Sequence, residues 1–419
     1  MKRKHICEFR TSVNCKTEVA NQKMRHPIKV VAISHAYVRS INRNVFGLVA
    51  ELGCDVHVLA PESIESGKQE ILCEPHDLPG VTLHRLPIAG THLRRMKFVR
   101  LERLLKEISP DVIFVEADPV SKTVLDLTRF CRKYEEVSLI CLTNENLNWK
   151  FNDALRRTGL RGLPALIVKM IAHRRFRSQI DHVFTTSKYA QKIFEQAGYP
   201  SVSFLPLGFD STNFRYCSKT RCRIRKQEDI GSDEIVISYF GRISKEKGVT
   251  DLISALGRLK AYSWRLFLND FVSNSEYSDH VSALIRKLGI EDRVHTVRSQ
   301  HGLISEWMCA SDITVLPSHT TSIWVEQFGR VVTEAMATGN YVVVSDSGTP
   351  KELVGDTGKV FPEGDQEALA DCLANFLKSP ANFLLDRKAA IRRAQRNFDI
   401  SAQARKMVTR FEQTCVTKS

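Results

Sequence analysis

The sequence predicts an α/β protein built on parallel sheets, and three observations lead there. Short β-branched apolar runs alternate with helical patterns from residue 28 onward. Residues 28–60 read as strand, helix and strand, an opening that pairs its strands in parallel through a crossover. The chain has 419 residues, enough for two or three domains with large cores.

Taken in order, residues 1–27 are polar and basic, lack the apolar core of a secretion signal, and are expected to form a disordered tail. Residues 28–34 are a continuous apolar strand, 35–44 a loop, 45–52 a helix closed by Gly53, and 55–60 a strand stopped by Pro61. Residues 101–108 and 123–134 read as helices around a strand at 111–116, and 138–143 and 182–186 as further strands, each followed by a helix. The basic run at 215–226 reads as part of a linker (215–232) between an N-terminal domain (28–214) and a C-terminal one (233–398), with a last helix from about residue 400. No run of eighteen apolar residues occurs, so no membrane span is expected.

Composition narrows the function classes. A net charge of +14 favours acidic partners: nucleic acid, an anionic membrane surface or phosphorylated substrates. Nucleic acid is set aside, because the charge comes without an aromatic-basic platform or a reading helix. The eleven cysteines are scattered without metal-ligand spacing, Cys217 and Cys222 included, and read as reduced thiols of a cytoplasmic protein; no metal site is expected.

The chemistry concentrates in two stretches. Residues 312–318 form a short apolar strand closed by Pro317 and Ser318, and a helical pattern begins near Gly329 and ends at Gly339. Glu326 is thus expected in the loop above the strand and Glu334 on the second turn of the helix. The free N–H groups around Phe328, Gly329, Arg330 and Val331 would then face the space between them, as an anion site. The bland alternative is a pair of solvated helix carboxylates. Upstream, a strand at 234–240 leads into Gly241, a tight turn, and then Arg242 and Lys247 before a helix at 249–259. Arginine clamps phosphate oxygens with a fork and lysine adds a point charge. Two cations and two carboxylates at neighbouring strand ends suit a nucleotide diphosphate carrying a polyhydroxyl group.

In this order, G-R-I-S-K-E-K-G, D-I-T-V-L-P-S, E-Q-F-G-R-V-V-T-E-A-M-A-T-G and S-G-T-P-K-E-L-V-G-D-T-G resemble the nucleotide-sugar half of the family 4 retaining glycosyltransferases. The resemblance is strong in the C-terminal half and weak in the N-terminal half. It implies the GT-B fold, two Rossmann-like domains facing across a cleft, with the donor on the C-terminal domain and a glycan or lipid-linked acceptor on the N-terminal one. It also implies retention of configuration without a metal or other cofactor. By position, Glu334 resembles the glutamate that takes the ribose hydroxyls, Glu326 the one that orients the donor sugar with the N–H groups of 328–331, and Arg242 and Lys247 the pair that neutralises the leaving diphosphate. The nucleobase would lie against the backbone near Val297 and Arg298. The E-Q-F-G-R variant resembles a branch linked to cell-surface polysaccharide synthesis.

Some positions depart from the family pattern. Asn269-Asp270 stands where a glycine-containing turn is usual, and asparagine's tolerance of left-handed geometry would let the turn survive. Arg330 either contacts the donor or faces solvent, and solvent is the expected outcome. Where many relatives carry a histidine beside the donor sugar, this chain has Thr143-Asn-Glu-Asn146, which leaves Glu145 as the candidate general base.

Ligands of open parallel sheets sit beyond the strands' carboxyl ends. That makes His35, Arg39, Glu116, Asp118, Asn144, Glu145 and Asn146 acceptor-side candidates, with loop capping as the plainer alternative. Residues 160–177 join an apolar patch to a basic cluster, which suits either an anionic membrane interface or a core helix with a solvated end. Competing functions are an epimerase or phosphorylase on the same fold, and a noncatalytic carbohydrate- or nucleotide-binding scaffold.

Overall fold

The computed structural model describes residues 26–66, 69–75, 78–90, 92, 94–146, 162–270, 276–297, 303–322 and 324–418. Most of the expected tail and Arg298 lie outside the described residues.

The N-terminal half runs β1 (Lys29–Ile33), α1 (Asn44–Glu51), β2 (Asp55–Pro61), β3 (Ser63–Ser66), β4 (Gln69–Leu72), β5 (Val81–Leu86), β6 (Ile88–Ala89), β7 (Lys97–Phe98), α2 (Leu101–Ile108), β8 (Val112–Glu116), α3 (Lys122–Cys131), β9 (Ser138–Thr143), α4 (Leu163–Phe176), β10 (His182–Thr185), α5 (Lys188–Gln196) and β11 (Val202–Phe204). Its seven-stranded sheet has the order β11-β10-β9-β8-β1-β2-β5. Every pairing in it is parallel. Successive side chains leave opposite faces, and both faces are covered. Val31 and Ile33 pack with Leu105 and Leu127, while Val30 and Ala32 pack with Phe46 and Phe411. That double burial is why β1 is apolar at every interior position.

The C-terminal half runs α6 (Ser218–Gln227), β12 (Ile235–Gly241), α7 (Val249–Gly257), β13 (Trp264–Asp270), α8 (Glu276–Leu288), β14 (Val294–Val297), α9 (Ile304–Ala310), β15 (Ile313–Leu316), α10 (Arg330–Ala337), β16 (Tyr341–Ser345), α11 (Pro350–Val354), β17 (Lys359–Phe361), α12 (Gln366–Lys378), α13 (Leu384–Phe398) and α14 (Ile400–Lys418). The sheet order is β14-β13-β12-β15-β16-β17, again parallel throughout. Ile237 and Tyr239 face one helical layer with Leu252 and Phe376, and Val236 and Phe240 face the other with Met308 and Val332.

The expected linker at 215–232 is corrected. Its centre is α6, which buries Ile224 in the C-terminal core. Arg221 and Arg225 reach the buried carboxylate of Asp312 at 2.7 and 3.2 Å, and Arg387 reaches it at 3.6 Å. The basic run is therefore partly an internal counter-charge for Asp312 rather than a solvated connector.

The chain returns across the molecule at its end. Phe209 and Asp399 form an isolated parallel bridge, with Phe209 N–H donating to Phe398 O at 2.9 Å and Ile400 N–H to Phe209 O at 3.0 Å. A Cβ on Gly208 would lie 2.4 Å from Ile400 Cα, so only glycine admits this approach. Beyond it, α14 buries Ala404, Met407 and Phe411 against the N-terminal sheet, where Phe411 meets Phe114 edge-on at 5.9 Å.

Candidate active site

Both sheets aim their carboxyl ends at one cleft. On the C-terminal side, β12 ends at Gly241, and the chain turns through Arg242 and Lys247 to Gly248, whose φ of 61° precedes α7. A Cβ on Gly248 would sit 1.9 Å from Pro317 O, so this glycine lets the Lys247 turn press against the loop after β15. There Lys247 Nζ donates to Glu326 Oε2 at 2.6 Å, and Ser318 Oγ donates to the same oxygen at 2.6 Å. Lys247 also lies 5.0 Å over the Trp324 ring. Arg242 is more exposed and only 3.6 Å from Glu246, free to swing toward a phosphate. Lys247 and Glu326 thus meet at the strand ends, while Arg242 lies beside Glu246.

Glu326 is also fixed through its backbone. Its carbonyl accepts from Thr349 N at 3.2 Å, and a Cβ on Gly348 would fall 2.1 Å from it. The same carbonyl accepts from Asn146 Nδ2 at 3.2 Å, a hydrogen bond from the opposite half of the molecule. Phe328 points into the C-terminal core, which leaves its main chain at the cleft. Gly329, at φ 76°, starts α10 without a side-chain cap, and Val331 is half-buried on the first turn. The first-turn N–H groups are thus uncapped by any side chain, as an anion site requires.

Glu334 is only 5% exposed. Burial pushes its carboxyl up to about 7, against the opposing pull of Arg330. The expectation that Arg330 faces solvent is corrected: it lines a cavity of about 60 Å³ with Glu334 and, from the N-terminal half, Glu116 and Tyr37. The side chain that a helix wheel leaves outside is only half-exposed, because the other half partly covers it.

On the acceptor side, a cavity of about 340 Å³ is walled by His35, Arg94, Glu116, Asp118, Asn144, Glu145 and Asn146, with Trp324, Val325 and Gln327 facing them. Glu145 is held by Lys169 Nζ at 2.6 Å and Arg94 Nη2 at 3.0 Å. Burial holds the His35 imidazole below its usual value, so it is neutral at pH 7 and able to accept a proton. Arg39 does not join the cavity wall; it pairs with Glu74 at 2.7 Å.

Val297 is buried at the end of β14 beside Asn269 of β13. Asn269 makes no left-handed turn: it is a strand residue, fully buried, with both amide atoms unpartnered. Sequence reasoning missed Arg94, Lys169, Trp324 and Tyr37. The tryptophan in the loop carrying Glu326 was the one signal available.

Comparison with known proteins decides what this arrangement belongs to. Residues 220–397 match the family model of glycosyl transferases group 1. The C-terminal half is thus similar to group 1 glycosyl transferases. The chain is 28% identical over 175 residues to the lipopolysaccharide core biosynthesis mannosyltransferase LpcC of Rhizobium leguminosarum bv. viciae, covering 40% of this chain and 48% of that protein. It is 28% identical over 226 residues to a GDP-mannose-dependent alpha-(1-6)-phosphatidylinositol monomannoside mannosyltransferase of Mycobacterium tuberculosis, covering 52% of this chain and 57% of that one. The chain spans about half the length of the curated relatives it matches.

Solved structures extend the likeness in fold to nearly the whole molecule. Sucrose-phosphate synthase from Thermosynechococcus elongatus superposes with a TM-score of 0.70 at 19% identity, over 93% of this chain and 100% of that one. Anabaena HepE in complex with UDP and glucose superposes with a TM-score of 0.69 at 19% identity, over 92% and 100%. The fold is therefore GT-B, two Rossmann-like α/β domains.

Proposed function

We propose that the protein is a retaining, metal-independent hexosyltransferase that moves a sugar from a nucleotide-diphosphate sugar to a glycan or lipid-linked acceptor in cell-surface polysaccharide or glycolipid synthesis. The observation that carries this reading is the Lys247–Glu326 pair at 2.6 Å, set at the strand ends and joined across the cleft through Asn146. A donor whose diphosphate takes Lys247 and Arg242 would free Glu326 to accept hydrogen bonds from the sugar, and Glu334 would receive the ribose hydroxyls. The bond from the anomeric carbon to the diphosphate oxygen breaks as the acceptor oxygen bonds from the same face. Negative charge grows on the leaving group, where the two cations stabilise it. The acceptor's proton leaves to a phosphate oxygen or to neutral His35. Enclosure between the two halves keeps water from the donor. The known mannosyltransferase relatives and the UDP complex of HepE support a nucleotide-sugar donor.

Contact with an anionic membrane surface fits α4. Ile167, Val168 and Ile171 are exposed on one stripe of this helix, which continues into Arg174 and Arg175. No helix among the described residues is long and apolar enough to cross a membrane.

The direct test is nucleoside diphosphate release from UDP-glucose, GDP-mannose and ADP-glucose, with EDTA present and lipid-linked glycan as acceptor. Acceptor-dependent release from one donor is expected, lowered about a hundredfold or more in Glu326→Ala, as for loss of a transition-state contact. Nucleotide binding without release from any donor would favour the noncatalytic scaffold.

A further inference from the structure

The cavity of about 60 Å³ between the two halves has room for a few waters and none for a nucleoside. Its charged and titratable lining is Tyr37 and Glu116 from the N-terminal half, Asp210 from the crossing segment, and Arg330 and Glu334 from α10. Asn42, Asn44 and Gln403 add neutral amides. Asp210 is occupied locally: one oxygen accepts from Thr212 N at 2.8 Å and Thr212 Oγ1 at 2.6 Å, and the other accepts from Asn213 Nδ2 at 2.8 Å. That leaves one guanidinium lining the cavity with two carboxylates, one from each half. A planar fork with five N–H donors can serve both at once or trade one for the other. Glu116 also walls the acceptor cavity, where it is the acidic residue common to the two spaces.

We propose that Arg330 is a positioning residue that holds Glu334 for the donor's ribose while tying it to Glu116, so that a carboxylate of the acceptor half sets the affinity of the donor half for its nucleotide. This rests on the transfer reading above. The electrostatics agree with the geometry. Burial pushes the carboxyls of Glu116 and Glu334 up; Arg330 pulls both down, helped at Glu116 by hydrogen bonds from Tyr37 and Asn144. A ribose diol donates two hydrogen bonds, and only the ionised carboxylate accepts both. Nucleotide affinity therefore rises with pH as Glu334 ionises. Removing Arg330's charge delays that ionisation, whereas removing Glu116's charge releases Arg330 wholly to Glu334 and advances it.

The test is the pH dependence of the dissociation constant of the diphosphate that wild type binds among UDP, GDP and ADP, measured by calorimetry in EDTA. Wild type is compared with Arg330→Gln, Arg330→Lys and Glu116→Gln, each near-isosteric and checked for folding by its melting temperature. Arg330→Gln moves the midpoint to higher pH and weakens binding at neutral pH about fivefold, as expected when a midpoint near neutrality rises by about one pH unit. Arg330→Lys recovers part of that loss, and Glu116→Gln moves the midpoint to lower pH. A merely structural role would weaken binding at every pH alike. Unmoved midpoints, or midpoints moved in the same direction by both Gln variants, overturn this proposal alone. Binding of none of the three nucleotides by wild type overturns the transfer reading and this proposal with it.

Discussion

Glu334 shows how a buried carboxyl is held at a cost to the stability of the fold. Its carboxyl titrates at about 7 in the fold and near the ordinary 4.5 when unfolded. The folded form thus binds its proton more tightly, and this group's contribution falls as pH rises from 4.5 to about 7. That difference in proton affinity corresponds to about 3 kcal/mol lost above the window. Without ligand, Glu334→Gln should therefore be more stable than wild type at mildly alkaline pH, by about 1–3 kcal/mol in urea unfolding, with the gap closing toward pH 4.5. A variant less stable than wild type at alkaline pH would show that the carboxylate is satisfied in the fold. At this scale the sequence was informative where a motif sits at a strand end: Lys247, Glu326 and Glu334 lie where the spacing puts them. It was silent where a distant segment decides the environment. Arg39 is spent on Glu74, and Glu145 on Arg94 and Lys169, pairings that no local pattern contains.

Among the elements, strands buried on both faces were legible because every interior residue is apolar, as in β1 and β8. The edge strand β5 was not, since in V-T-L-H-R-L only the last residue is buried and two are exposed. The α6 helix was hidden by its arginines, whose partner Asp312 is 87 or more positions away. The element with the most consequence for the acceptor is α4. It buries Leu166 and His173 but leaves Ile167, Val168 and Ile171 outside. The core-helix reading thus fits one side of the helix, and the exposed stripe on the other is the surface that the membrane proposal uses. Sedimentation with phosphatidylglycerol vesicles, but not with phosphatidylcholine vesicles, is expected at low salt, weakening as salt is raised. Ile171→Glu should abolish it. Absence of wild-type binding to anionic vesicles at low salt would remove the membrane contact.

For the whole molecule, alternating strands and helices predict parallel sheets, but not how two sheets face each other. The facing arrangement came from the family resemblance. What holds it is only visible in three dimensions: the bridge between Phe209 and Asp399, the return of α14 onto the first sheet, and the Asn146–Glu326 bond across the cleft. The small cavity beside Glu334 is separate from the larger one walled by the loop carrying Glu326, yet Glu116 lines both. Nucleotide recognition by the C-terminal half is the claim on which the rest depends. Calorimetric titration of the intact protein with UDP, GDP and ADP in EDTA tests it most directly. One nucleotide should bind without metal, and Glu334→Ala should lose that binding while keeping a cooperative melting transition. Failure of all three to bind, or undiminished binding by Glu334→Ala, would contradict a ribose-binding Glu334 and a donor site at these strand ends.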